Sequence, residues 1–136
     1  MLFRSEQELT EKIIGRAMKV HSVLGPGFLE SVYQQALIHE LRKASLRVDS
    51  EIPLTVRYDG VVVGAFSADL LVESKVIVEL KANQALAPVH EVQLVNYLTA
   101  TGIEIGLLLN FGAERLEFKR KTRTYRPQPP QKDFIL

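Results

Sequence analysis

The chain contains no cysteine, carries little net charge and has no long apolar run. Without cysteine, disulfide bonds, zinc–thiolate sites, iron–sulfur clusters and thiol nucleophiles are all excluded. No stretch approaches the roughly 18 apolar residues of a membrane-spanning helix, and the residues after Met1 lack the apolar core of a secretory leader. The formal net charge is only +1, so a polyanionic partner would have to bind at a local site. These absences predict a cytoplasmic protein without a membrane partner.

The composition that remains is typical of one globular domain. Hydrophobic residues make up 46% of the 136 residues and charged residues 24%, a balance that allows a packed core and disfavours global disorder. Prolines cluster between residues 127 and 130, where they exclude regular helix and central strand. We therefore expect a single domain over residues 1–126 and an extended, proline-rich tail over 127–136.

The spacing of apolar residues predicts an α+β fold. Helical spacing occurs over residues 6–24, over a second segment ending near Ala44, and over 88–101. Alternating or continuous apolar runs predict strands, of which the clearest cover residues 61–72, 76–82, 103–111 and 115–120. Asp59-Gly60 is a strong hairpin turn signal, and Gly64 favours a bulge. The predicted order is ααββββαββ, a mixed sheet flanked by helices.

Two charges, Glu79 and Lys81, interrupt an otherwise apolar strand. Strand side chains alternate between faces, so these two share one face. If the preceding turn occupies residues 73–75, then Val72 pairs with Val76, and Asp69 lies across from Glu79 with their Cβ atoms about 5 Å apart. The pattern thus predicts that two carboxylates and an ammonium group converge on one patch.

Two carboxylates at close range repel, and a hard divalent cation such as Mg²⁺ or Mn²⁺ removes that repulsion. In this interpretation Asp69 and Glu79 are metal ligands, and Lys81 orients a water molecule or stabilises charge on a phosphate. The alternative is a solvated Glu79–Lys81 ion pair on an exposed sheet face, with Asp69 simply near a strand end. Spacing alone leaves both interpretations open.

Two helices carry further polar candidates. Gln93 and Tyr97 lie four residues apart, beside an apolar stripe, where they either line a pocket or remain solvated and at the core edge. Glu30 and Tyr33 share one face of the second helix. Glu30 either caps the first turn, where the helix dipole favours negative charge, or points into the site.

These pieces, taken in order, resemble the GxxExxY family, a branch of the PD-(D/E)XK nuclease superfamily. The matching segments cover residues 27–33, 67–72, 78–82, 90–98 and 109–112. The resemblance implies a restriction-endonuclease-like core with Asp69 and Glu79 as the two acidic residues and Lys81 as the lysine. It also implies that Glu30 is the acidic residue of the first core helix. Ala68 stands where the superfamily pattern has proline.

The resemblance implies metal-dependent hydrolysis of phosphodiester bonds in DNA or RNA. The expected catalytic residues are Asp69, Glu79, Lys81 and Glu30, and the expected substrate-binding residues are Tyr33 and the pair Gln93 and Tyr97, which looks like the Q-x-x-x-Y pair of the RecB-like branch. A basic run offers contacts to phosphates or is merely solvated: Arg115, Lys119, Arg120, Lys121, Arg123 and Arg126. The alternatives are a non-catalytic module that binds nucleic acid or a phosphate ligand, and an oligomeric interaction protein. Nucleic acid is the expected partner, and a homodimer stays open.

Overall fold

Three helices and six strands make up the described part of the chain, residues 5–124 and the backbone of 134–135, in this computed structural model. The helices are α1 (Glu6–Leu24), α2 (Glu30–Lys43) and α3 (Pro88–Thr101). The strands are β1 (Val48–Tyr58), β2 (Val61–Val72), β3 (Val76–Lys81), β4 (Ile105–Asn110), β5 (Glu117–Thr122) and β6 (Phe134–Ile135). Arg126 and the predicted tail, apart from the β6 backbone, lie outside the described residues.

Helix α1 begins where a side chain satisfies its free backbone donors. The Ser5 hydroxyl accepts a hydrogen bond from the backbone N–H of Glu8 at 3.3 Å. The helix ends at Gly25, whose φ of 69° lies in a region that favours glycine. In residues 5–124, no helix is long and apolar enough to cross a membrane.

The strands form one mixed sheet in the order β5-β4-β3-β2-β1-β6. Strands β3 and β4 are parallel and joined through α3, whereas the other neighbours are antiparallel. The two-residue turn at Asp59 and Gly60 has φ angles of 55° and 76°, and Tyr58 pairs with Val61, which confirms the predicted hairpin. The predicted mixed sheet flanked by helices is confirmed.

The element order differs from the predicted one by a single strand. Three strands precede α3 and three follow it, where the sequence predicts four and two. The register shifts between Val56 and Arg57, opposite Gly64, as a β-bulge does. As the sequence predicts, β2 continues past this bend as one strand. The additional strand after α3 is β6, which lies in the predicted tail.

Two apolar clusters cover the two faces of the sheet. Helices α1 and α2 pack on one face, which includes Val78 and Leu80 of β3. Helix α3 packs on the other face through Leu94 and Leu98, over a cluster that includes Ile77. Because side chains alternate along a strand, Glu79 shares the α3 face with Ile77. The layers therefore place this acidic residue beneath α3.

One glycine lets the loop after β4 approach the end of β3. A Cβ at Gly112 would lie 2.4 Å from the carbonyl carbon of Ala82 and from the carbonyl oxygen of Asn83. We therefore expect Gly112→Ala to lower the free energy of unfolding by about 1–3 kcal/mol, because the backbone must shift. Urea denaturation measures this change.

The same substitution at Gly15, inside α1, is the matched control. A Cβ there meets nothing within 4 Å, so Gly15→Ala should raise the free energy of unfolding by about 0.5–1 kcal/mol through helix propensity alone. Equal stability of Gly112→Ala and the wild type would contradict the close approach of the two backbones.

Candidate active site

The hairpin formed by β2 and β3 brings the predicted acidic residues to one place. Val72 pairs with Val76, as the sequence predicts, and the ladder continues to the pair of Leu70 and Val78. One step further along the same register, Asp69 faces the next residue of β3, Glu79. The regular ladder ends before that step, so the two strands separate at the acidic pair.

The carboxylate of Asp69 takes the place of a strand neighbour where the ladder ends. Its Oδ2 atom accepts a hydrogen bond from the backbone N–H of Leu80 at 2.8 Å. This bond satisfies a backbone donor of β3 that the ladder no longer pairs, and it turns the carboxylate towards β3. The side chain of Asp69 is therefore oriented by the strand that carries Glu79 and Lys81.

Glu79 is a buried carboxyl group, with only 8% of the residue exposed. Burial, the negative charge of Asp69 and a hydrogen bond between the two carboxyl groups raise the pKa of Glu79 from its ordinary 4.5 to about 9. A hydrogen bond with the backbone of Asp69 and the positive charge of Lys81 act in the opposite direction but are outweighed. Without a bound cation, this side chain is therefore protonated at neutral pH.

The donor atoms at this place fit a divalent cation. Oε1 of Glu79 is buried and has no hydrogen-bond partner among the described residues, although it lies beside the charged Asp69. A cation here would replace the shared proton and remove the repulsion, and oxygen ligands suit Mg²⁺ or Mn²⁺. Within residues 5–124, no group of three or more histidine, aspartate or glutamate side chains forms a metal cluster. The remaining coordination positions would therefore fall to water, backbone or substrate oxygens.

Lys81 emerges on the same face as Glu79, two residues further along β3, and is half-buried. Its backbone carbonyl accepts a hydrogen bond from the N–H of Phe111 at 2.8 Å. Beside it, the fully buried amide of Asn110 accepts from Asn83 N–H at 3.0 Å and donates to Asn83 O at 2.9 Å. Asn110 therefore anchors the chain that leaves β3, and its signal in the sequence was one polar residue in an apolar strand.

On α3, the structure brings Tyr97 near the acidic pair. Partial burial and the negative charges of Glu79 and Asp69 raise the pKa of the Tyr97 phenol. Its ring stacks on Phe66 of β2, with the centroids 4.0 Å apart. Gln93 lies one turn earlier on α3 and is exposed, so its side chain is accessible to a ligand. Nothing in the sequence pointed to Phe66.

On α2, the structure separates the two predicted residues from each other. Glu30 is the first residue of the helix and is exposed. Tyr33 is fully buried between α2 and the opposite face of the sheet, and its hydroxyl donates to Gly25 O and accepts from Phe28 N–H. The prediction that Tyr33 binds substrate is therefore corrected: this residue pins the turn between α1 and α2.

Gln34, which follows Tyr33, does reach the site. Its side-chain amide donates to the backbone carbonyl of Asp69 at 3.2 Å. Glu30 lies one helical turn before Gln34, on the same side of α2. Helix α2, which carries Glu30, thus contacts β2 at Asp69. The contact is made by Gln34, which the sequence did not single out.

The basic run lies on the opposite edge of the sheet from β1. Strand β5 is separated from β2 by β3 and β4. Two of its basic side chains are engaged locally: Arg120 bonds Gln7 of α1, and Lys121 pairs with Glu91 of α3 at 2.7 Å. Arg123 pairs with Glu104 at 2.8 Å. These contacts favour a structural role that ties the edge strand to the two helical layers.

The chain is similar to known proteins in its sequence pattern and in its fold. A family model described as the PD-(D/E)XK nuclease superfamily matches residues 7–121. Among solved structures, the chain is similar to the one described as the crystal structure of SSO0001, with a TM-score of 0.53 and 20% identity. That match covers 90% of this chain and 61% of the other, and at this identity it shows the fold alone. No curated protein matches the chain in sequence.

The buried carboxyl group predicts how stability depends on pH in the absence of divalent cations. Because the pKa of Glu79 is about 9 in the folded state and about 4.5 unfolded, its stabilising contribution is fully present below about pH 4.5 and is lost as the pH rises towards 9. The Glu79→Gln variant has no ionisable group at this position. Its stability relative to the wild type should therefore rise with pH, by at most about 1.4 kcal/mol per unit.

Urea denaturation in EDTA at about pH 5, 7 and 8.5 measures the difference. A constant difference between the variant and the wild type across this range would show that Glu79 is ionised in the folded protein, against the geometry described above.

Proposed function

The chain belongs to the PD-(D/E)XK nuclease superfamily, and on that basis we propose that it hydrolyses phosphodiester bonds of nucleic acid with a divalent cation. Nucleases of this superfamily generally depend on such a cation. The observation that carries the proposal is the acidic pair: Asp69 faces Glu79, whose buried Oε1 lacks a hydrogen-bond partner, with Lys81 on the same face. In such a site a cation can take the place of the proton that otherwise keeps the pair from carrying two negative charges.

In the proposed reaction, Asp69 and Glu79 hold the cation from neighbouring strands. When bound, Mg²⁺ or Mn²⁺ would supply positive charge beside the scissile phosphate and make water more acidic. The hydrogen bond from Leu80 N–H holds the Asp69 carboxylate in one orientation, so little reorganisation is needed on binding. Glu79 would release its proton to solvent when a cation binds, so that both ligands carry a negative charge.

Lys81 would act on the reacting groups from the same face. Its ammonium group would orient the attacking water or stabilise the negative charge that grows on the phosphate oxygens. Two hydrogen bonds fix the end of β3: Phe111 N–H donates to the carbonyl of Lys81, and Asn83 N–H donates to the side chain of Asn110. They hold the backbone of Lys81 beside the acidic pair. A lysine on a fixed strand meets the geometric demand for a positioned charge.

Substrate contacts are proposed for α3 and α2. Tyr97, held by its stack on Phe66, presents a phenol near the carboxylates, and Gln93 extends the same helix face into solvent. Both offer hydrogen bonds to phosphate or base. Glu30 would act from the exposed start of α2, through water rather than by direct ligation. The GxxExxY branch, the cytoplasmic location and a homodimer stay predictions of the same account.

The direct test is cleavage of labelled single- and double-stranded DNA and RNA with Mg²⁺ or Mn²⁺. We expect Asp69→Asn, Glu79→Gln and Lys81→Met each to lower kcat/KM by about 100-fold or more, because each removes a ligand or charge from the reacting centre. Glu11→Gln, an equivalent change on the exposed face of α1, should leave the rate unchanged.

Binding of the same substrates, measured in parallel, separates the alternatives. Binding without cleavage of any substrate would reject the enzyme and favour a non-catalytic nucleic-acid module. Neither binding nor cleavage would favour an interaction protein that keeps the fold. Cleavage that survives Asp69→Asn would show that catalysis takes place elsewhere.

A further inference from the structure

Asp69 lies at a break in both of the ladders that flank β2. On the β1 side, Ser50 pairs with Leu70 and Ile52 pairs with Ala68, but the pair between them, residues 51 and 69, is absent. On the β3 side, pairing ends at Leu70. The proposed metal ligand therefore lies at a point of β2 that regular sheet pairing does not hold.

The break on the β1 side has a local cause. Glu51 has a φ of 51°, in the left-handed region that residues with a side chain rarely adopt. Such a residue cannot continue an extended strand, so the backbone of β1 turns away from its expected partner. Regular pairing resumes between Ile52, which follows Glu51, and Ala68, which precedes Asp69.

Gln34 of α2 bridges this break with the two hydrogens of one amide group. Its Nε2 atom donates to the Glu51 carboxylate at 2.9 Å and to the Asp69 carbonyl at 3.2 Å. Gln34 thus donates a hydrogen bond to the backbone carbonyl of Asp69, while the carboxylate of Asp69 accepts one from the N–H of Leu80. Helix α2 itself is fixed in the core through buried residues such as Leu37, so the amide is presented from a rigid support.

We propose that Gln34 is a positioning residue, which sets the place of Asp69 by bridging it to Glu51; this inference rests on the proposed function. The amide does not touch the cation or the substrate. It acts through the peptide group of Asp69, whose position determines where the carboxylate meets Glu79. Residues that orient metal ligands in this way commonly change metal affinity by about 10–100-fold when they are replaced.

The decisive variant is Gln34→Met, which keeps the length of the side chain but removes both donors and adds no charge. Its matched control is Gln35→Met, the same change at the exposed neighbouring position of α2. Gln34→Ala serves as a second variant if the methionine variant does not fold. All are compared as the full chain.

The first measurement needs no metal. Hydrogen exchange of the Leu80 amide, followed by NMR in EDTA, reports how well the Asp69 carboxylate is held, because that carboxylate is its acceptor. We expect exchange to accelerate about tenfold in Gln34→Met, with no change in the core amide of Leu108 and no change in Gln35→Met. The second measurement is titration with Mn²⁺ alone, where Gln34→Met should bind about tenfold more weakly than the control.

The outcomes separate this inference from the function on which it rests. If Gln34→Met and Gln35→Met agree in Leu80 exchange and in Mn²⁺ affinity, the positioning role is overturned while the nuclease proposal stands. If Asp69→Asn binds Mn²⁺ as tightly as the wild type, the metal site fails, and Leu80 exchange alone then decides whether Gln34 holds Asp69.

Discussion

The candidate site depends on two carboxyl groups that face each other where two strands separate. Glu79 is buried on the face covered by α3, and Asp69 faces it from β2. Burial and the neighbouring charge raise the pKa of Glu79 to about 9, so that the group keeps its proton at neutral pH. A sheet of this size could place apolar side chains at both positions at lower cost. The proposed cation would account for an acidic pair at this position.

Several parts of the fold keep this pair in place. The parallel pairing of β3 with β4 and the buried Asn110 fix the strand that carries Glu79 and Lys81. Gln34 reaches across from α2 to the strand that carries Asp69. Each neighbouring element thus contributes one contact, and the acidic pair sits where those contacts meet. This arrangement puts the reactive groups on rigid strands rather than on loops, which favours precise geometry.

Much of the site could be predicted because strand alternation is a strict rule. Period-two spacing put Glu79 and Lys81 on one face, and a short polar turn set the register that aligns Asp69. The role of Tyr33 could not be predicted, since helical spacing places it on a buried face but does not reveal that Gly25 and Phe28 use its hydroxyl. The Gln34 contact was also hidden, because it depends on the left-handed backbone at a non-glycine position in β1. The bulge opposite Gly64 was visible as a glycine in a strand. The pairing of β6 with β1 was not visible, because it joins segments that are far apart in the sequence.

The most direct test of the account is anomalous X-ray scattering from crystals of the full chain grown with Mn²⁺. The account predicts one strong manganese peak in contact with carboxylate oxygens of both Asp69 and Glu79, with Lys81 alongside. Saturating Mn²⁺ with no peak between these two carboxyl groups would contradict it.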